Sequence, residues 1–109
     1  MAQNFMDQAC KLIEVVRLTE AINRETLNRN EFYITVNHTS FQISGLVLKG
    51  GIYLNSNNSQ LKFDNIEHLN TQITMYINLS DIELVNCDND IDTYTIKTNN
   101  DVEFNITMI

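Results

Sequence analysis

The strongest constraint on the fold is a change of hydrophobic period near residue 30. From Ala2 to Asn28 the apolar residues recur every three or four positions, which predicts an amphipathic helix with one buried face. That stripe consists of Phe5, Ala9, Leu12, Ile13, Val16, Leu18 and Ile22. After Glu31 apolar and polar residues alternate, which is the pattern of half-buried β-strands. A helix followed only by strands predicts an α+β fold.

Short alternating segments separated by turn residues predict a run of consecutive hairpins. Gly45 stands where the alternation changes, which indicates a bulge or bend, and Lys49–Gly51 is typical of a turn. We therefore predict one domain over residues 1–109, with an N-terminal amphipathic helix followed by a curled antiparallel sheet of six or seven strands. The sheet is either open or closed into a barrel. The order of a helix followed by successive short hairpins resembles that of Sm-like and SH3-like small barrels. The segments are Phe32–Val36, Phe41–Leu48, Ile52–Leu54, Leu61–Phe63, Ile73–Leu79, Ile82–Leu84, Tyr94–Ile96 and Val102–Met108.

The last strands allow a prediction of register, since a slip of one residue would turn the apolar side chains to water. Placing Ile96 opposite Phe104, and Tyr94 opposite Ile106, leaves a three-residue loop, 99–101, with a left-handed residue. The same parity predicts Leu84 opposite Tyr94 and Ile82 opposite Ile96. It also predicts Lys97 between Asp81 and Glu103, and the most negative surface toward the Cys87–Asp92 end.

Composition excludes several classes of function. Fourteen Asp/Glu against seven Lys/Arg give a net charge of −7, which argues against direct nucleic-acid binding. No apolar run approaches the roughly 18 residues of a membrane span, and Met1–Cys10 lacks the basic start and apolar middle of a signal peptide. Abundant Asn and Ile without Pro or Trp are typical of an AT-biased genome. We therefore expect a protein of the bacterial cytoplasm with two free thiols.

The supply of catalytic and metal-binding groups is small. Two histidines, His38 and His68, could in principle pair with Cys10 or Cys87. However, Cys10 lies beside the buried stripe, where it is expected to be a small core residue. Cys87 lies in a predicted turn beside aspartates that would raise its pKa.

The acidic loop 88–92 has the first three carboxylates of a calcium loop, but Thr93 and Asn99 replace its glycine and glutamate. A solvated hairpin loop is the better interpretation. No Cys/His spacing is typical of a zinc site. We expect no enzyme activity, no metal and no cofactor.

Charge placement is the most informative feature. Residues 1–62 carry six Lys/Arg and five Asp/Glu, whereas residues 63–109 carry one Lys and nine Asp/Glu. This asymmetry is explained either by a solvated face that keeps the protein soluble or by a surface that docks on a basic groove. Under the second hypothesis the partner-binding residues are Asp81, Glu83, Asp88, Asp90, Asp92, Asp101 and Glu103.

A small acidic domain of this kind resembles, in general character, the anti-CRISPR and anti-restriction inhibitors of phages. The resemblance implies a basic nucleic-acid-binding partner such as a CRISPR effector nuclease, blocked by carboxylates that replace phosphates. Alternatives are an immunity protein against a nuclease toxin and a structural or assembly subunit of a phage or mobile element. The segment Val102–Ile109 ends without a charged residue or Pro. It is either an unprotected edge strand that could pair with another sheet or a strand buried by closure against an earlier one. We therefore expect a monomer or a weak dimer.

Overall fold

A computed structural model describes residues 2–88 and 93–109, with side chains from residue 9 onward. Within these residues one long helix precedes eight antiparallel strands and one 3₁₀ turn. The elements are α1 (Ala2–Leu27), β1 (Phe32–His38), β2 (Phe41–Leu48), β3 (Ile52–Leu54), β4 (Gln60–His68), β5 (Thr71–Asn78), the 3₁₀ turn (Leu79–Asp81), β6 (Ile82–Asp88), β7 (Thr93–Thr98) and β8 (Glu103–Met108).

The sheet branches at β4. Along one side β4 pairs with β5, and along the other it pairs with β3 and then with β2. From β2 the order continues through β1, β8 and β7 to β6, and the sheet curls into a half-barrel. The predicted α+β architecture is therefore confirmed, with eight strands instead of six or seven. Closure against β1 makes β8 an interior strand and not an edge.

The helix crosses the opening of the half-barrel. It packs against β6 and β3, which stand at the two ends of the main strand order. Val15, Leu18 and Ile22 are fully buried there, and burial of each such side chain stabilises the fold by about 1.5–3 kcal/mol. From the sheet, alternate residues complete the core: Phe32, Ile34, Val36, Leu46, Leu48, Ile52, Leu61, Phe63, Ile66, Ile77, Ile82, Val85, Tyr94, Ile96, Phe104 and Ile106.

The buried stripe of α1 is rotated from the predicted one. Val15 is fully buried and Val16 only partly, while Ala9 and Ile13 are exposed. Cys10 is also exposed and is not the core residue that we expected. Adjacent apolar pairs at 12–13 and 15–16 leave the phase of the stripe open, and the position of the strands beneath the helix decides it. Phe5 lies in the part of α1 whose side chains are not described.

The β1–β2 and β4–β5 hairpins contain bulges, of which one was predicted from the sequence and the other was not. In the β1–β2 hairpin, Ile34 pairs with Leu46 but Val36 pairs with Ile43, so β2 has an extra residue at the predicted bulge, where Gly45 has φ +79°. A second bulge, in β4, contains Asn65 at φ 55°. This bulge interrupts the alternation of apolar and polar residues after Phe63. For this reason the sequence predicted only a short strand at Leu61–Phe63, whereas β4 continues to His68.

The glycine pair Gly50-Gly51 is not a hairpin turn, because β2 and β3 pair with β4 and not with each other. The segment instead runs close to its neighbours. A Cβ on Gly50 would lie 2.7 Å from the Asp64 carbonyl oxygen. Gly51 has φ +93°, and a Cβ there would lie 2.5 Å from Asn23 Oδ1. Both positions therefore need glycine for close approach.

Candidate protein-binding surface

Four of the predicted partner-binding residues lie on neighbouring elements at one end of the sheet. Asp81 ends the 3₁₀ turn, Glu83 follows it in β6, Asp101 lies in the β7–β8 turn and Glu103 begins β8. The Asn99 N–H donates to the Asp81 carbonyl (2.8 Å), which ties the 3₁₀ turn to the β7–β8 turn. We call these four carboxylates the acidic end.

The β7–β8 hairpin presents two of them as predicted. Ile96 pairs with Phe104 and Tyr94 with Ile106, which confirms the register. The Thr98 N–H donates to the Val102 carbonyl (2.9 Å), so the loop is the expected three residues. Within it Asp101 has φ 63°, a left-handed conformation that Asp tolerates better than most residues.

The β6–β7 register differs from the prediction. Ile82 pairs with Thr98, Leu84 with Lys97, Val85 with Ile96 and Cys87 with Tyr94. Glu83 is the extra residue of a bulge, which lets Ile82 and Val85 both face the core despite their spacing of three. The predicted pairs of Leu84 with Tyr94 and Ile82 with Ile96 are therefore wrong.

The predicted arrangement of charges around Lys97 forms only in part. Lys97 pairs in register with Glu103 on one side, but Leu84 and not Asp81 is opposite it on the other. In the described part of the chain, no lysine or arginine lies within 4.0 Å of an acidic-end carboxylate. The Asp81 carboxylate accepts a long hydrogen bond, 3.5 Å, from Asn78 Nδ2.

Lys49 is compensated by two glutamates, one from each half of the chain. Lys49 Nζ lies 2.7 Å from Glu67 Oε2 and 3.7 Å from Glu31 Oε2. The hydrogen bond to Glu67, followed by the attraction of the same carboxylate, raises the pKa of Lys49 above its usual value. These ion pairs are solvent-exposed, so they add little stability. At the acidic end, by contrast, the described residues form no ion pair.

Of the remaining predicted carboxylates, the structure describes only Asp88, at the opposite end of β6. Asp88 is exposed at the last position of that strand, five residues beyond Glu83 and therefore about 17 Å along it. Asp90 and Asp92 lie outside the described residues. The structure thus separates Asp88 from the acidic end instead of placing all the acids in one patch.

A groove of about 770 Å³ lies between α1 and the β6–β7 pair. Its walls carry charges of both signs from α1, including Glu14 and Arg17, and Cys87 lines its floor. Burial raises the pKa of the Cys87 thiol, the Glu14 carboxylate raises it further, and Arg17 opposes the shift. The pKa of Cys87 is raised as the sequence predicted, but the causes are burial and Glu14 instead of the neighbouring aspartates. Cys87 also lies in a strand, not in a turn.

The two histidines lie on other hairpins than Cys87. His38 Nδ1 accepts the Ser40 N–H (3.0 Å), and its ring stacks on Phe41 at 5.0 Å. His68 Nδ1 lies 3.4 Å from the Gly45 carbonyl oxygen. Among the described residues, no group of three His, Cys, Asp or Glu side chains is arranged to hold a metal ion.

Asn23 is the important polar residue that the sequence analysis missed. Its Nδ2 donates to the Ile52 carbonyl (2.7 Å) and its Oδ1 accepts the Ile52 N–H (2.8 Å). The side-chain amide thus pairs with β3 as a neighbouring strand would. The available signal was an Asn next to the buried Ile22 within a long helix, where Asn is an unfavourable residue.

Comparison of the chain with protein-family models, curated proteins and solved structures gives no match in any of the three. In the described part of the chain, the helix is too polar to qualify as a membrane-crossing segment.

Proposed function

We propose that this chain is a non-enzymatic acidic inhibitor that binds a basic nucleic-acid-processing protein and blocks its DNA or RNA site. In this respect it would act as phage anti-CRISPR proteins do, with a CRISPR effector nuclease as the type of partner. The observation that supports the proposal is the acidic end. Its carboxylates have no cationic partner within salt-bridge distance among the described residues, whereas Lys49 is held by two glutamates.

The physical basis is mimicry of the phosphate backbone. Phosphate contacts supply much of the affinity of nucleic-acid-binding proteins and are made by Lys and Arg side chains. A carboxylate offers the same side chains a negatively charged acceptor with bidentate geometry. Complementary charge also accelerates association and suppresses binding to acidic partners.

The arrangement on the fold favours this use of the carboxylates. Glu83 is the extra residue of a bulge in β6, and Asp101 lies in a turn closed by backbone hydrogen bonds. Both residues are exposed. Little reorganisation would be needed on binding, which limits the entropic cost. Asp88, at the other end of β6, and Asp90 and Asp92, which follow it in the sequence, remain candidate contacts on the grounds of sequence.

The test is displacement of DNA from a guide-RNA-loaded CRISPR effector nuclease, with a basic nuclease toxin domain as a second target. Glu83→Gln with Asp101→Asn removes two acidic-end charges, and Asn suits the left-handed position. The matched control, Glu20→Gln with Asp64→Asn, removes two charges elsewhere. We expect the first variant to inhibit at least tenfold less well and the control to match the wild type. Equal inhibition by both variants would exclude the acidic end.

The second target separates the two inhibitor hypotheses. Displacement of DNA from the toxin domain alone would favour an immunity protein. Failure to displace DNA from either target would contradict the proposed inhibitor function for these partners.

An assembly subunit is the second candidate function, and one observation favours it. In the part of the chain that the structure describes, β5 has one edge without a neighbouring strand, and the strand contains no charged residue. Two of its side chains, Ile73 and Tyr76, are exposed apolar groups. Such an edge is a template for pairing with another chain. Assembly through this edge would be insensitive to salt, because it involves no charged groups.

A further inference from the structure

The strand edges of this sheet are protected to very different degrees. Within the described residues, β3, β5 and β6 each have one edge without a neighbouring strand, and the first half of β2 has no paired residue in β4. An open edge exposes unpaired backbone N–H and C=O groups, and proteins normally block it with charges, bulges or a covering element.

Three of the four edges carry such features. Asn23 occupies the edge of β3 through its two hydrogen bonds to Ile52. The β6 edge is covered by α1, distorted by the bulge at Glu83, and charged at both Glu83 and Asp88. The first half of β2 is bent at Gly45, whose carbonyl oxygen lies 3.4 Å from His68 Nδ1.

The β5 edge has none of these features among the described residues. The strand is eight residues long, which is long for an edge, and contains no Lys, Arg, Asp, Glu, Pro or Gly. Its irregularity in pairing with β4 lies in β4, between Phe63 and Ile66, so that β5 itself runs on without an inserted residue. Six of its eight residues are exposed.

The side chains of β5 are complementary to those of a second β5. Its core-side residues are Thr71, Ile73, Met75 and Ile77, and its outer-side residues are Gln72, Thr74, Tyr76 and Asn78. Directly opposed residues of an antiparallel pair share a face. Two copies related by a two-fold axis at Met75 would therefore place Ile73 opposite Ile77. An axis at Thr74 would place Ile73 opposite Met75. Either register matches apolar with apolar and brings no like charges together.

We propose that the free edge of β5 pairs antiparallel with β5 of a second copy of this chain, joining two half-barrel sheets into one. A two-fold contact of this kind closes at two copies. An eight-residue edge buries less area than a standard interface, so the dimer is reversible and concentration-dependent. The dimer is independent of the proposed inhibitor function, because the acidic end lies on β6–β8 at the other end of the strand order.

Sedimentation velocity over a dilution series tests the proposal on the full chain. The wild type should move from a 12.6 kDa monomer toward twice that mass as its concentration rises. Thr74→Lys places a charge at the centre of the edge, and Gln72→Lys adds a second beside it; both residues are exposed. We expect the single variant to weaken the dimer at least tenfold and the double variant to be monomeric.

The matched control is Thr107→Lys, which makes the same change at an exposed position of an interior strand. It should dimerise as the wild type does. Far-UV circular dichroism and the melting temperature verify that each variant is folded. A wild type that is monomeric throughout, that associates beyond two copies, or whose dimer persists in the folded double variant would overturn the proposal.

Discussion

Asn23 holds the C-terminal half of α1 against the sheet. Its two hydrogen bonds satisfy the N–H and C=O of Ile52, which is fully buried, and Thr26 Oγ1 donates in turn to the Asn23 carbonyl (3.1 Å). A buried backbone group that loses its partner costs about 1–3 kcal/mol. The contact therefore matters more than an average hydrogen bond on the surface.

Replacing Asn23→Ala should consequently lower the free energy of unfolding by about 2–4 kcal/mol, since two buried backbone groups lose their partners. Urea unfolding followed by circular dichroism measures this. Asn28→Ala is the control, because Asn28 is exposed just beyond the helix and should change stability by less than about 0.5 kcal/mol. Equal stabilities for the two variants would show that the Asn23 contact is unimportant.

The cysteines test the electrostatics of the α1–β6 groove. In a Cys10→Ser background, alkylation of Cys87 should require higher pH than that of an ordinary thiol, because burial and Glu14 raise its pKa. Adding Glu14→Gln removes a charge that disfavours the thiolate, so the pH profile should shift to lower pH. Glu25→Gln, elsewhere on the groove, is the control. An unchanged profile in Glu14→Gln would contradict the assignment.

At the scale of elements, regular alternation was predicted well and its interruptions were not. The β7–β8 hairpin has uninterrupted alternation, and its register and three-residue turn are confirmed. The bulge at Gly45 was predicted because glycine marks it. The bulges at Asn65 and Glu83 have no such signal, and each shifts the parity of the later residues in its strand. The predicted neighbours of Lys97 were therefore half right, since Glu103 is opposite it in β8 but Leu84 and not Asp81 is opposite it in β6.

Helix phase offers a matched test within one element. Val15→Ala and Val16→Ala are the same chemical change at adjacent positions, one fully buried and one partly. We expect Val15→Ala to cost about 1.5–3 kcal/mol and Val16→Ala less than about 1 kcal/mol. Thermal or urea unfolding of the two variants measures both losses of stability. A larger loss for Val16→Ala would favour the stripe predicted from sequence over the one in the structure.

At the scale of the whole molecule, the acidic strands and the uncharged strand edge lie in different parts of the sheet. The sheet branches at β4, and the hairpins on either side differ in what they expose. Residues 81–103 contain seven of the fourteen Asp/Glu of the chain and one Lys, whereas in the described part of the chain β5 exposes an uncharged edge. Composition was sufficient to predict the acidic half. The free edge was not predictable, because strand order depends on long-range pairing that local alternation does not encode.

These two surfaces should respond differently to salt. Screening weakens interactions between exposed charges, since the Debye length falls from about 30 Å at 0.01 M to about 8 Å at 0.15 M salt. Partner binding through the acidic end is therefore expected to weaken with salt, and self-association through β5 to remain nearly constant.

The most direct measurement of the partner-binding role is the association rate with a guide-RNA-loaded CRISPR effector nuclease as a function of ionic strength. We expect a steep decrease for the wild type and for the Glu20→Gln/Asp64→Asn control. Association of Glu83→Gln/Asp101→Asn should be slower and should depend less on salt. An association rate that is independent of salt, or that is the same in both variants, would contradict a partner-binding role for the acidic end.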